Sequence, residues 1–160
     1  MGDLSEFPAR WRLFLRAYRW RRIDPVPWTP LTKPLAQCRL ALVSSAGFVL
    51  RDQPAFDESI RGGDPSFRDI PADVDVSTLV ETHRSELFDH AGLSSDPNLA
   101  FPLERVRELA ARGRIGSLSP LHLSFMGSLT APGRLRHRSA PEAARGLVRA
   151  GVDVALLVPV

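Results

Sequence analysis

The sequence contains one cysteine, one lysine and no long apolar segment. Because Cys38 is the sole cysteine, an internal disulfide and a metal site built only from thiolates are excluded. Cys38 opens an apolar run, so we expect it to be buried and unreactive. No apolar run approaches the roughly 20 residues of a membrane-spanning helix, and the acidic N-terminus lacks the apolar core of a secretory signal. We therefore expect a cytoplasmic chain without a transmembrane segment.

The sequence also lacks the fingerprints of nucleotide and nucleic-acid binding. Neither the P-loop pattern nor the GxGxxG pattern occurs, which argues against a nucleotide-binding fold of the usual kind. Nearly all the positive charge is arginine, but the net charge is only +3, too small to indicate a nucleic-acid partner. We expect no nucleic acid, no metal site and no cofactor bound within the chain.

The N-terminal part differs in pattern from the rest of the chain. Residues 9–22 carry apolar side chains at helical spacing, namely Trp11, Phe14, Leu15 and Tyr18. Arginines flank this stripe, so the predicted helix either packs on protein or binds a membrane surface or an acidic partner. Prolines at 25, 27, 30 and 34 predict an extended connector. The predicted organisation is an N-terminal helix over 1–24, a proline-rich connector over 25–36 and an α/β domain over 37–160.

The α/β domain alternates apolar runs with amphipathic helical patterns. Residues 38–43 and 152–160 are near-continuous apolar runs, which is typical of parallel strands covered on both faces. Helices are predicted over 102–112 and over 139–150. This alternation predicts an α/β fold with an open, mostly parallel sheet and crossover helices.

Other segments give weaker or purely local signals. Ser139 and Glu142 have the spacing of a capping box, which predicts that the second helix begins at Ser139. Short strands are predicted over 74–80 and 115–118. Loops are predicted over residues 51–73, 92–98 and 120–133, which are rich in Gly, Pro and polar residues.

The last residues are apolar, whereas chain termini are normally polar and exposed. We therefore expect the sheet to be incomplete at the C-terminus, with residues up to Val160 forming an interior strand. In open parallel sheets, the ligand crevice lies beyond the carboxyl ends of the strands. A residue following Val160 is expected to lie in that crevice.

Small polar residues follow two of the apolar segments. Ser44, Ser45 and Gly47 come after the first predicted strand, and Ser124 and Gly127 belong to a Ser-Phe-Met-Gly-Ser stretch. Their hydroxyl and main-chain N–H groups have the chemistry to bind a small substrate at the sheet edge. Ordinary turns and packing loops use the same residues, so both interpretations stay open.

A polar segment supplies three candidates for proton transfer. His83, Asp89 and His90 lie close in sequence, and a carboxylate beside an imidazole can orient it as an acid or base. We assign His83 and His90 as candidate acid/base residues, and Asp89 and His90 as candidate substrate contacts. The alternative is that these side chains are structural, since His and carboxylate often occur together by chance.

Beyond residue 27, the sequence resembles the selenoprotein B component of the glycine, betaine, sarcosine and D-proline reductases. The similar stretches keep the same order along the chain. They are residues 27–31, 40–47, 62–71, 88–90, 98–105, 115–118, 124–127 and 154–160.

This resemblance implies a function and a nucleophile. In that family, the last strand leads into a selenocysteine, or sometimes a cysteine, so the expected nucleophile would follow Val160. It implies reductive cleavage of a C–N bond in glycine, sarcosine, betaine, proline or a related small molecule. The implied partners are an amino-acid-like substrate, other reductase subunits and a dithiol or thioredoxin-type reductant, and an oligomer is compatible with this. The alternative is a non-catalytic α/β module for ligand binding or assembly.

Overall fold

The computed structural model describes residues 4–18, 22–85 and 90–160. These residues belong to two compact units, Met1–Pro30 and Leu31–Val160. In the first unit, helix α1 (Ala9–Ala17) forms within the range predicted to be helical. The ring of Phe14 lies 6.0 Å from that of Trp11 and 5.7 Å from that of Tyr18, as the helical spacing of the aromatic residues predicts.

The second unit contains seven β-strands and three α-helices among the described residues. In chain order these are β1 (Arg39–Ser44), β2 (Phe48–Val49), β3 (Phe67–Pro71), β4 (Val80–Glu81), α2 (His90–Ser95), α3 (Leu103–Ala111), β5 (Ser117–Leu118), β6 (Leu121–Phe125), α4 (Ala140–Arg149) and β7 (Val154–Val158). Short 3-10 turns connect several of them. Among the residues that the structure describes, no helix is long and apolar enough to cross a bilayer.

Strand β1 is the centre of the main sheet. It pairs in parallel with β7 along its length, from Leu40 opposite Val154 to Ser44 opposite Val158. Strand β7 thus occupies one side of β1. Strands β5 and β6 share the other side, and both are parallel to β1. Strand β3 then pairs antiparallel with β6. The prediction of an open, mostly parallel sheet is therefore confirmed.

Helices cover both faces of this sheet. On one face, α3 packs Leu103 and Val106 against Leu40 and Leu42 of β1, in the main hydrophobic core. On the other face, residues of α4 and Leu123 of β6 line a cavity of about 340 Å³ between the helix and the sheet. Burying fully apolar side chains of this size stabilises a fold by about 1.5–3 kcal/mol each, which explains why the near-continuous apolar run of β1 forms the central strand.

Cys38, at the start of β1, is buried as predicted. Its thiol donates a hydrogen bond to the main-chain oxygen of Pro34, 3.3 Å away. A second acceptor, the main-chain oxygen of Lys33, lies 3.6 Å from the sulfur. The thiol therefore behaves as a small buried group with local polar partners.

Three of the predicted loops contain regular structure. Residues 51–73 include β3, residues 120–133 include β6, and residues 92–98 overlap α2. The strand predicted over 74–80 is instead a 3-10 turn followed by the two-residue strand β4. The loop predictions for 51–73 and 120–133 failed because β3 and β6 form by pairing with each other, which local periodicity does not show.

The start of α4 and the position of β7 also differ from prediction. Ser139 has helical backbone angles and makes no capping hydrogen bond, because a π-helical segment (Leu135–Ser139) precedes α4 and extends the helix backwards. Strand β7 was predicted to be interior, but among the described residues it pairs only with β1. Its Leu157 side chain is 67% exposed, so this strand has an open edge.

A buried histidine completes the hydrogen bonding of β1. Strands β5 and β6 pair with opposite ends of β1, and Leu42 lies between these two pairings. The N–H of Leu42 donates to Nδ1 of His122, 3.0 Å away. His122 is 0% exposed, and its burial lowers its pKa to about 4. Since Nδ1 accepts this bond, the imidazole is neutral with its proton on Nε2. The side chain thus replaces a main-chain acceptor in the middle of the sheet.

We predict that protonation of His122 opposes folding. In the unfolded chain a histidine binds a proton below about pH 6.5, whereas His122 in the folded protein does so only near pH 4. The contribution of neutral His122 to the free energy of unfolding is complete above pH 6.5. It falls by about 3 kcal/mol as the pH drops from 6.5 to about 4. Urea unfolding at a series of pH values measures this fall.

The variant His122→Gln should lose this part of the pH dependence, because its amide has no titrating proton. The exposed His137 supplies the matched control, and His137→Gln should keep the full dependence. An unchanged pH profile in His122→Gln would contradict the assignment.

Candidate active site at the carboxyl edge of the sheet

The carboxyl ends of β1, β6 and β7 meet at one edge of the sheet. The main-chain N–H of Ser45 donates to the oxygen of Val158, 3.2 Å away, and that of Gly47 donates to the oxygen of Phe125, 2.9 Å away. The space at this edge, bounded by Ser45, Gly47, His83, Gly127 and Val160, is called the crevice below. Ligands of open parallel sheets bind in this position.

Ser45 holds the main chain of Val160 in the crevice. Its hydroxyl donates to the main-chain oxygen of Val160, 3.2 Å away, and accepts from the N–H of Val160 at 3.0 Å. These two bonds fix the chain immediately after β7. The hydroxyl of Ser45, one of the predicted site residues, is therefore a positioning group at the sheet edge.

Gly47 brings the segment that carries His83 against the sheet. It has φ +70°, and a Cβ there would lie 3.2 Å from the main-chain nitrogen of His83. The oxygen of Gly47 accepts from both the N–H and the hydroxyl of Thr82, at 3.1 and 2.7 Å. A residue with a side chain would be strained at this φ and would crowd His83, so glycine is required here.

Gly127 leaves the space that the imidazole of His83 occupies. A Cβ at position 127 would lie 2.5 Å from Nε2 of His83, 2.9 Å from the main-chain oxygen of Ser45 and 3.2 Å from that of Val160. Three chain segments therefore converge within a few ångströms of Gly127. Nε2 of His83 lies at the point where they meet.

Glu81 connects the two histidines of the site. One carboxylate oxygen accepts a hydrogen bond from the main-chain N–H of His83, and the other lies 2.6 Å from Nδ1 of His90. Nε2 of His90 lies 3.0 Å from the main-chain oxygen of Ser85. Glu81 thus fixes the backbone of one histidine and the ring of the other, and the sequence analysis did not single out this carboxylate.

Burial controls the charge of His83. The side chain is 6% exposed, and this burial lowers the pKa of the imidazole below 6.5. The negative charge of Glu81 acts in the opposite direction, while His90 and Arg84 lower the pKa further. His83 is therefore neutral near pH 7 and can accept a proton.

Two further predicted site residues, Ser44 and Ser124, have buried hydroxyl groups below the crevice. The hydroxyl of Ser44 is buried and donates to the main-chain oxygen of Ala100, 2.7 Å away. That of Ser124 is buried on β6 with no hydrogen-bond partner among the described residues. Asp89 lies outside the described residues. Substrate contact by Ser44, Ser124, Asp89 and His90 stays a prediction.

An apolar groove of about 280 Å³ adjoins the crevice on the α4 side of the sheet. It is lined by residues from β1, β6, β7 and the helical segment before α4, including Phe125, Leu135 and Leu157. Within residues 4–18, 22–85 and 90–160, no three His, Cys, Asp or Glu side chains are grouped so that they could bind a metal ion.

The sequence is similar to those of known reductase components. The sequence model of the family described as glycine/sarcosine/betaine reductase selenoprotein B matches residues 12–159. The chain is 37% identical over 136 residues to the D-proline reductase subunit gamma of Acetoanaerobium sticklandii, covering 84% of this chain and 54% of that protein. It is 32% identical over 113 residues to the sarcosine reductase complex component B subunit beta of Peptoclostridium acidaminophilum, covering 71% of this chain and 26% of that protein.

A third relative extends the same comparison. The chain is 30% identical over 142 residues to the glycine reductase complex component B subunit gamma of Symbiobacterium thermophilum, covering 88% of this chain and 32% of that protein. The chain thus spans about half the length of the first relative and about a quarter to a third of the other two. No solved structure gives a significant match.

We predict that Gly127→Ala disturbs the crevice specifically. The added methyl would lie 2.5 Å from Nε2 of His83, so the imidazole or the main chain must move. The expected result is a changed pKa of His83, followed by NMR titration, and a loss of stability of about 1–3 kcal/mol. Gly133→Ala is the matched control, because a Cβ there meets nothing within 4 Å. An imidazole titration in Gly127→Ala identical to that of the unaltered protein would refute the proposed packing.

Proposed function

Because the chain belongs to the glycine/sarcosine/betaine reductase selenoprotein B family, we propose that it is part of a selenocysteine- or cysteine-dependent reductase. The proposed reaction is reductive cleavage of the C–N bond of glycine, sarcosine, betaine, proline or a related small molecule. The observation that carries this proposal is the family match over residues 12–159, which includes all the crevice residues except Val160.

The position that follows Val160 is proposed to carry the nucleophile. A selenolate or thiolate there supplies the electron pair that forms a bond to the α-carbon as the C–N bond breaks and the amine leaves. A dithiol of another component then supplies the two electrons that release the reduced product. The hydrogen bonds between Ser45 and Val160 support this position, because they hold Val160 at the crevice.

His83 is proposed to move the proton that this chemistry requires. The N–H of Ser85 donates to Nδ1 of His83, 3.3 Å away, so this hydrogen bond favours the ring proton on Nε2. In the other neutral tautomer, which carries the ring proton on Nδ1 and gives up that bond, Nε2 can take the proton of a selenol or thiol and so generate the attacking anion. The resulting imidazolium would stabilise that anion electrostatically. Glu81 is a positioning residue, because it acts through the main chain of His83 and the ring of His90.

We predict that His83→Gln lowers kcat/KM of the assembled reductase by about 100-fold, the usual contribution of a positioned base. In the unaltered enzyme, activity should fall at low pH as His83 becomes protonated. The half-maximal rate on this acid side should lie below pH 6.5, because burial lowers the pKa of His83. Rate measurements with a small-molecule dithiol as reductant, from pH 5 to 8, provide the test.

The matched control is His137→Gln, which removes an exposed histidine outside the crevice and should leave the profile unchanged. An acid limb that persists in His83→Gln would exclude His83 as the proton acceptor. An assembled protein that binds the substrates but never cleaves their C–N bond would favour a non-catalytic binding or assembly module.

We also predict a selenocysteine or cysteine directly after Val160 in the native protein. Mass spectrometry of the peptide that contains Val160, prepared from the native source, should show the selenium isotope pattern or an alkylated cysteine. A native chain in which any other residue, or none, follows Val160 would overturn the proposed nucleophile.

A further inference from the structure

The aromatic residues that carry a polar N–H or O–H group lie together near the N-terminus. All three tryptophans and the only tyrosine of the chain fall within a short stretch, namely Trp11, Tyr18, Trp20 and Trp28. Tryptophan and tyrosine concentrate where a membrane meets water, because their rings are apolar while their N–H or O–H groups stay hydrated. Residues 7–28 are called the N-terminal segment below.

The charged residues of the N-terminal segment are almost all of one sign. Residues 8–22 contain six arginines and no Asp or Glu, and Asp24 is the only acidic residue of the segment. In the part of the chain that the structure describes, the ion pairs involve none of the three arginines of α1, which are Arg10, Arg12 and Arg16. Their charge is therefore available to an external anionic surface.

We propose that the N-terminal segment binds the surface of a bilayer that contains anionic phospholipids. Helix α1 lies in the plane of the interface, with its aromatic stripe towards the acyl chains and its arginines among the headgroups. Its nine residues extend about 14 Å, about half the apolar thickness of a bilayer, so the helix lies on the membrane and does not cross it. This inference is independent of the proposed function, because it concerns attachment and not catalysis.

The first support is the exposure of apolar side chains in the N-terminal segment. No residue of α1, which the structure describes in full, is buried. Phe14 of the aromatic stripe is 46% exposed, and after the helix Val26 is 74% and Trp28 84% exposed. Large exposed apolar groups gathered in one short segment indicate a contact surface that the chain itself does not cover.

The second support favours a lipid surface over an acidic protein. The exposed apolar groups continue beyond α1 to Ile23, Val26 and Trp28, which lie outside any helix. A protein groove that receives a helix selects apolar side chains at regular helical positions. The surface of a bilayer is fluid and accepts apolar side chains at irregular spacing, so it can cover both parts of the segment.

The third support is the position of the arginines around α1. By helical spacing, Arg12 and Arg16 lie on one side of the aromatic stripe and Arg10 lies on the other. The guanidinium group of Arg10 is 5.9 Å from the centre of the Trp11 ring. Arginine side chains in such positions cover apolar surface with their methylene groups and reach outwards to the headgroups. Their planar guanidinium groups suit phosphate, to which they can donate two parallel hydrogen bonds.

Tryptophan fluorescence of the full chain tests the proposal, because all three tryptophans lie in the N-terminal segment. Titration with vesicles of equal parts phosphatidylcholine and phosphatidylglycerol should shift the emission to shorter wavelength as indole rings leave water. We expect binding at least about tenfold tighter than to vesicles of phosphatidylcholine alone. This difference should disappear in about 1 M salt, where charges are screened within about 3 Å.

Two variants separate the contributions of charge and of apolar contact. Arg10→Gln/Arg12→Gln/Arg16→Gln should weaken binding to the anionic vesicles about 100-fold, since each arginine near such a surface contributes about fivefold. Trp11→Ala/Phe14→Ala should weaken binding to both kinds of vesicle about tenfold or more, because less apolar surface is buried.

The matched control is Arg134→Gln/Arg138→Gln/Arg145→Gln. It removes the same charge from exposed positions outside the N-terminal segment and should bind the vesicles unchanged. Equal losses in the two triple variants would overturn the proposal, because net charge alone would then explain binding. Equal affinity for both kinds of vesicle would overturn it too, as would binding of polyglutamate without binding of vesicles, which indicates an acidic protein partner. These assays contain no substrate, so their failure leaves the proposed reductase function standing.

Discussion

The hydrogen bond from the Leu42 N–H to Nδ1 of His122 is the constraint on which the arrangement of the sheet depends. Strand β1 is the centre of the sheet, and β5 and β6 pair with different ends of it. Without an acceptor between them, the buried N–H of Leu42 would lack a partner, at a cost of about 1–3 kcal/mol. The imidazole supplies that acceptor. The strand can therefore be interrupted at Pro120 while β5 and β6 both stay parallel to β1.

This register determines which residues reach the carboxyl edge. Because Ser44 lies opposite both Ser124 and Val158, the residues that follow these three positions leave the sheet at the same level. The close approach of the segments then requires Gly127, where no side chain can be accommodated. The geometry of the crevice therefore depends mainly on the strand register and on glycine at position 127, and less on individual polar side chains.

The sequence predicted the parts of the fold that depend on local pattern. The apolar run of β1 and the apolar stripe of α3 reflect the burial of these elements, and such patterns can be recognised in the sequence. Strands β3 and β6 could not be predicted in this way, because their polar residues, such as His122, gain their partners only from distant strands. The same limit applies to the site: His83 and His90 were predicted from their chemistry, but the contact of Glu81 with the ring of His90, nine residues away, emerges only from the folded chain.

Burial gives His83 the property that its proposed task needs. It keeps the imidazole neutral near pH 7, because burial disfavours the charged ring. The negative charge of Glu81 acts in the opposite direction, so the carboxylate that fixes the main chain of His83 also limits how far the pKa of the imidazole falls. A further guanidinium group beside the imidazole would depress its pKa again and weaken it as a base. Arg134 and Arg138 line a groove elsewhere on this edge and do not contribute to the shift, so they leave this balance intact.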